Sequence, residues 1–515
     1  MWVEQGVWHD IRRLEEAAEL FEAHIYPRVR EAFGSEWRPG IDNDPRVHIL
    51  HATDLGENVL GYTSSIDEYP RALHRLSNEA EMMVVNVDHV EIGTPAYNAL
   101  VARQLQRLIQ WNQNRNEDRW LKEGLAELAA TLTGFGVGEP EQAAPRETDV
   151  SLMHWTGEKS QREAVYLFAA YFHQLFGDEG TRVLTAEPAN GIRGVEAALS
   201  KLESDLSFEE FFASWVAANY LDHLSESETD GLHYSYTDLD VGRPTLVAAP
   251  DAFPFEKESS VHQFGADYIV LRGDEDLNVA FTGRIATPLL SVSPLSGQRA
   301  WWSNRADESL TTLTGRFDLS EVESATLSYW IWYDIEPHHD YAMVKARALD
   351  DDEWTTLVTP SGTDADPHGH SPGWSYTGKS PGWIHEEIDL SSYAGDDVLL
   401  RFSYLTDGAI TGEGFLLDHI SIPEIGYVDN MGTESERWKP EGFLRIGPYV
   451  PQRYLALLIG RGEETTVERL TLEEDQRAEW TVPLGSEDLS EAILVISGMA
   501  PLTAEPAPYK LRISP

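Results

Sequence analysis

Two pairs of charged residues carry the most suggestive spacing in this chain. Arg103 and Arg107 stand four residues apart, as do Glu123 and Glu127, so on helices each pair would share one face. Histidines offer a second kind of chemistry. His48 and His51 are three apart in a segment that reads as a strand, so their imidazoles would leave opposite faces and could not converge on one ion. His338-His339-Asp340 and His368-Gly369-His370 fall in turn-rich sequence. The second histidine pair could face one side and hold a metal weakly, although loop histidines without a third ligand are ordinarily solvated. Nucleophile-elbow, phosphate-loop and dinucleotide signatures are absent. With no cysteine there is neither a thiolate ligand nor a thiol nucleophile.

The elements that must position the charged pairs are helices. Thr94-Pro95 supplies a cap followed by proline at the first helical position. Beyond it Val101, Leu105, Leu108 and Ile109 fall on one face. A second helix is predicted over Trp120 to Thr133, with Glu117 and Asp118 near its start and Gly134 just past its end. The stretch Ile11 to Phe33 places Ile11, Leu14, Ala18, Phe21 and Ile25 on one helical stripe. Val47 to Leu50 and Met83 to Val87 suit buried strands, and further helices are predicted over Ala164 to Phe176, Gly194 to Leu202 and Phe208 to Tyr220.

From about residue 233 helical periodicity gives way to short alternating strands, among them Ala325 to Trp332, Ala342 to Ala348, Val398 to Tyr404 and Ala492 to Ile496. Turn formers such as Asp350-Asp351-Asp352 and Ser371-Pro372-Gly373 separate them. The polar stretch Ser225 to Asp230 reads as a linker. The 515 residues exceed what one core holds. The expected division is 1–232, then a β-sandwich of 233–272 with 427–515, and a jelly roll of 273–426 inserted into it. The terminal strand Tyr509 to Ile513 would pair with an early one.

Charge narrows the partners. With 87 acidic against 39 basic side chains the net charge is −48, a field that repels phosphate backbones and anionic lipid and attracts cations such as calcium. No nucleic-acid partner and no membrane span are expected, since no run approaches the ~20 apolar residues that crossing a bilayer requires. Met1-Trp2-Val3-Glu4-Gln5 lacks the basic and apolar regions of a signal peptide. If the protein is secreted, the sequence is expected to be trimmed or to begin inside a longer precursor.

The residues Arg103-Gln104-Leu105-Gln106-Arg107, Trp111-Asn112, Asn116-Glu117-Asp118 and Trp120-Leu121-Lys122-Glu123-Gly124-Leu125-Ala126-Glu127 resemble the core of the immune inhibitor A-like zinc metallopeptidases. In that family an HExxH helix precedes a tryptophan, an NED-type turn and a WLNEGLAEL-like helix. The resemblance implies a zincin-type α+β domain at the N-terminus, with Arg103 and Arg107 at the zinc-histidine positions, Gln104 at the general base and Glu123 at the third ligand. Arginine has no lone pair to give a metal, and a glutamine amide cannot take up a proton at neutral pH. The implied site is therefore degenerate, no zinc is expected, and the chain reads as a pseudoprotease. Packed as in the family, the helices would set Arg103 and Arg107 against Glu123, with Glu127 a weaker member. At Gln161 to Phe168 only Tyr166, Leu167 and Phe168 look familiar, where family members show a His-Tyr-Gly-like run.

The resemblance extends through Trp301-Trp302-Ser303-Asn304, Arg316 to Ser320, Ala325 to Glu336, Trp383 to Tyr393 and Phe415 to Ile420, which look like the family's accessory jelly roll. His419 stands where the family usually carries a second aspartate. The implied cofactor is calcium, with Asp307, Glu336, Asp340 and Asp418 as candidate ligands. Of the aromatic run Tyr329, Trp330, Trp332 and Tyr333, alternation would bury half. The reading is a secreted or cell-surface protein that binds a protein or glycan partner on an inert peptidase scaffold. Its competitors are an active metallopeptidase with a non-standard metal site, and an adhesin or carbohydrate-binding protein acting through its β domains.

Overall fold

The computed structural model describes residues 1–136, 145–222, 234–408, 410–432, 437–462, 464–486 and 489–515. They form an α-helical N-terminal region and a β-rich remainder, divided into two compact units, 1–285 with 452–515, and 286–451.

In the first unit, Asp10 accepts from the amide of Arg12 and opens α1 (Ile11–Leu20), which runs through one π turn (Phe21–Ile25) into α2 (Tyr26–Phe33). Its buried stripe is Leu14, Ala17, Phe21, Ile25 and Val29, while Ile11 is 58% exposed. The predicted stripe is thus correct from Leu14 onward, with Ala17 rather than Ala18 innermost. Thr94 caps α3 (Pro95–Asn114) by accepting from the amide of Tyr97. After a short turn α4 (Arg119–Leu132) returns alongside it. The helix α5 (Lys159–Thr185) bends at Gly177, whose φ of 62° ends the first helical stretch where the sequence predicts a stop. Then come α6 (Gly191–Lys201) and α7 (Phe208–Leu221), the latter held by a Ser207/Glu210 capping box. Gly124 is where α4 meets α5. A Cβ there would lie 2.4 Å from the carbonyl oxygen of Val165, so this approach requires glycine.

Beside these helices lies a four-stranded sheet in the order Trp2–Val3, His48–Ala52, Met82–Asn86, Gly61–Tyr62. The first three run parallel and the last antiparallel.

The sandwich sets a five-stranded sheet (Thr465–Leu470, Tyr454–Gly462, Leu489–Gly498, Asp267–Leu271, Leu246–Ala248) on a four-stranded one (Arg477–Val482, Leu277–Gly283, Ala507–Ser514, Phe255–Val261). Alternation along the five-stranded sheet feeds two cores. Tyr268, Val270, Leu455, Leu457, Ile493 and Val495 join the helical core, while Ile269, Leu271, Ala456, Leu458, Leu494 and Ile496 face the other sheet. The helices consequently share a core with the sandwich. The C-terminal strand Ala507–Ser514 pairs with both Phe255–Val261 and Leu277–Gly283. The chain leaves this unit at Ile285 and rejoins it at Gln452, whose amide donates to the Ile285 carbonyl at 3.0 Å.

The second unit packs the sheet Ile384–Asp389, Thr326–Asp334, Gly414–Ile422, Ala300–Trp302, Leu444–Ile446 against Thr355–Thr356, Tyr341–Ala348, Asp397–Leu405, Leu310–Asp318, Trp438–Glu441. Leu313, Phe317, Leu327, Tyr329, Val344, Phe402, Phe415 and Leu417 fill the space between them. Tyr329, Trp332 and Tyr333 are all buried, more than simple alternation allows. A register shift between Ser328 and Trp330 accompanies this, and Trp332 turns into a second small core with Leu289, Leu290 and Trp302.

The expected boundaries at 272 and 426 both move toward the C-terminus, to 285 and 451. Leu277–Gly283 pairs with the C-terminal strand inside the sandwich, and Trp438–Glu441 and Leu444–Ile446 pair inside the second unit. Such short strands carry no local mark of the sheet they join. The polar stretch Ser225 to Asp230 lies outside the described residues. Among the described residues no helix is long and apolar enough to cross a membrane.

Candidate functional site

The antiparallel course of α3 and α4 brings the four charged residues of interest together in two rungs. Arg107 Nη2 donates to Glu123 Oε2 at 2.6 Å, and Arg103 Nε donates to Glu127 Oε2 at 2.8 Å. Arg103 therefore meets Glu127 and not Glu123, which corrects the expected convergence of both arginines on one carboxylate. Arg103 lies one turn before Arg107, so on an antiparallel neighbour its partner lies one turn after Glu123. Arg119 completes the group, its Nε lying 3.3 Å from Glu123 Oε1.

All these side chains are largely covered, Glu123 most of all at 13% exposure. Burial alone would raise its carboxyl. Arg107 and Arg119, with Arg162 behind them, outweigh that and hold it below the usual carboxylate range. Gln104 is buried and donates from Nε2 to the carbonyl of Gly61, 3.3 Å away on the edge strand of the small sheet. At this position an amide ties helix to sheet. Thr131 Oγ1 donates to Tyr166 Oη at 3.2 Å, and burial raises the tyrosine hydroxyl.

Below the rungs Glu117 is almost fully buried. Its Oε1 accepts from the amides of Asp118 (2.6 Å) and Gly191 (2.7 Å), joining the starts of α4 and α6. Desolvation outweighs these donors and pushes Glu117 up to about 7. His48 accepts from Trp2 Nε1 at 2.8 Å, while His51 is buried against Tyr97 Oη at 2.9 Å. They share no ligand position.

The four calcium candidates do not gather at one point. Asp418 is buried and accepts from the amides of Ser296 (2.9 Å) and His419 (2.8 Å). Asp340 is also buried. It accepts from Tyr404 Oη at 3.0 Å and from the amide of Asp407 at 3.1 Å, and desolvation pushes it up to about 7. Asp307 is half-buried, and its charge joins burial and the charges of Asp340 and Asp334 in raising the Tyr404 hydroxyl. Glu336 is brought instead to His339 and Asp407. The ligand atoms of these three lie within 4.8 Å of one another, the group of metal-capable side chains that converges among the described residues.

Asp407 is the residue the sequence reading missed. No local sequence signal marks it, since only the pairing of Tyr341 with Leu405 delivers the turn before one strand to the turn after the other.

Residues 284–447 match the family model described as immune inhibitor A-like, MAM domain. The pre-pro-metalloprotease PrtV of Vibrio cholerae is 30% identical over 172 residues, 32% of this chain and 18% of that protein. Immune inhibitor A of Bacillus thuringiensis subsp. alesti is 32% identical over 159 residues, 30% of this chain and 22% of that protein. Bacillopeptidase F of Bacillus subtilis is 29% identical over 135 residues, 25% of this chain and 8% of that protein. The matched stretch spans about a fifth or less of the length of these relatives.

Proposed function

From the premise that the chain belongs to the immune inhibitor A-like family through residues 284–447, we propose that it is a catalytically inactive relative of a metallopeptidase. In this reading it works outside the cell as a binding or structural protein. Its helical region, with the small sheet, is a zincin-type fold whose chemistry has been replaced. The observation that carries the reading is the Arg107–Glu123 contact of 2.6 Å. The one acid kept at an implied zinc-ligand position is neutralised by a guanidinium, which cannot coordinate a metal. Arg103 on Glu127 and the amide of Gln104 on Gly61 occupy the neighbouring roles in the same way. Neither can activate a water molecule.

The test is chemical restoration on the full chain. Arg103→His, Gln104→Glu and Arg107→His together should add one zinc ion per chain beyond whatever the parent binds. The parent should leave casein intact with zinc present. Chelator-sensitive casein hydrolysis by the parent, lost in Glu123→Gln, would overturn the inactive reading.

A further inference from the structure

The jelly roll carries a cluster that the carboxylate reading does not explain. Three imidazoles lie together at the edge of the Glu336–His339–Asp407 group. The ring centre of His339 is 4.8 Å from that of His368 and 5.4 Å from that of His370, and the latter two are 5.8 Å apart. Two imidazoles bound to one tetrahedral ion at metal–nitrogen distances of about 2.0–2.1 Å have ring centres roughly 5 Å apart. The observed spacings bracket that value. His339 Nδ1 is also 3.2 Å from Asp407 Oδ2, so nitrogen and oxygen donors already share one point.

The support is rigid. Asp340 fixes the amide of Asp407, Tyr404 fixes Asp340, and Thr377 Oγ1 donates to the carbonyl of Glu336 at 3.2 Å. Asp366 accepts from the amides of His370 and Ser371, both at 2.9 Å, and so shapes the loop bearing the outer histidines. Those two side chains are exposed and can turn their nitrogens inward at little cost in packing.

We infer that Glu336, His339 and Asp407, with His368 and His370 from the neighbouring loop, form a site for a late first-row divalent cation of the zinc class. Calcium takes six to eight oxygen ligands, whereas imidazole nitrogen selects zinc, nickel or cobalt. Asp340, beside Asp407, is occupied as a support for the Asp407 amide. The acidic surroundings draw any cation, and the histidines decide which is kept. The inference does not depend on whether the helical region is catalytic.

The experiment uses the full chain, stripped with chelator and dialysed, then titrated with zinc chloride alone and with calcium chloride alone. One zinc ion per chain is expected, retained against millimolar calcium. His339→Ala and Asp407→Asn should each weaken zinc at least tenfold, and so should the double variant His368→Ala/His370→Ala. Cobalt(II) in place of zinc should give visible d–d absorption that His339→Ala abolishes. Near-ultraviolet circular dichroism identifies any variant that fails to fold, and the cobalt spectrum of the parent is informative whatever the variants do. Zinc binding indifferent to His339→Ala and Asp407→Asn would overturn the inference. So would zinc loss in His339→Ala alone without loss in the double variant, calcium binding indifferent to every histidine, or no zinc at all.

Discussion

Removing one guanidinium from Glu123 tests whether the rungs between α3 and α4 are a replacement for a metal or only neighbouring charges. Arg107→Met keeps most of the aliphatic bulk of a side chain that is 31% exposed and 2.6 Å from an acid that is 13% exposed. Breaking a fully buried ion pair costs about 3–5 kcal/mol, and an exposed one is worth about 0–1 kcal/mol. Arg119 stays 3.3 Å from the same carboxylate, so a loss of about 1–2 kcal/mol is expected. Glu123→Gln should cost a similar amount. The double variant should cost less than the two together, with a coupling of about 1 kcal/mol.

The sign with pH is fixed by the depressed Glu123 carboxyl. Its contribution is present above the ordinary value of 4.5 and is lost as pH falls through the lower folded value. The Arg107→Met penalty should therefore be full at pH 7 and shrink under acid conditions. Hydrogen exchange of peptides from α3 and α4 reads this locally, where a multi-domain chain would blur a global transition. A coupling within ~0.3 kcal/mol of zero, or a penalty unchanged by acid, would refute the reasoning.

Two further outcomes follow from burial. Glu117→Gln keeps an acceptor for the amides of Asp118 and Gly191 but removes a charge whose carboxyl is pushed up to about 7. Such a raised acid loses its stabilisation as pH rises through that value, so the substitution should add about 1–3 kcal/mol at pH 8 and little at pH 4. Equal urea midpoint shifts at both pH values would count against it. Gly124→Ala puts a methyl group 2.4 Å from the Val165 carbonyl and should destabilise by about 1–3 kcal/mol. Unchanged thermal melting would show that α4 and α5 have room to part.

Local signals made the helices legible. Thr94-Pro95, the apolar stripe of α3 and the arrest at Gly177 are all decided within a few residues of where they act. Partnership across the fold was not legible. Arg103 chose Glu127 because α3 and α4 run antiparallel, a fact of packing and not of spacing. The strand Leu277–Gly283 alternates like its neighbours and Trp438–Glu441 does not, and only hydrogen-bonding to distant segments assigns one to the sandwich and the other to the second unit. Asp407 sits within an unremarked Thr-Asp-Gly turn and becomes conspicuous only beside the 336–340 turn. Asp340 and Asp418 are calcium candidates by loop position, yet their oxygens are spent on backbone amides, a use that no composition reveals.

The hydrogen bond between Gln452 and Ile285 also bears on the order in which the molecule assembles. The sandwich is written in two instalments separated by roughly 165 residues, and drawing together the ends of so long a flexible loop costs on the order of 4–5 kcal/mol of chain entropy. The intervening unit has its own termini stitched side by side through Ala286–Pro288 and Tyr449–Pro451. Once that unit has folded, the second instalment arrives as though it followed the first directly, and the host sheet closes on a short tether.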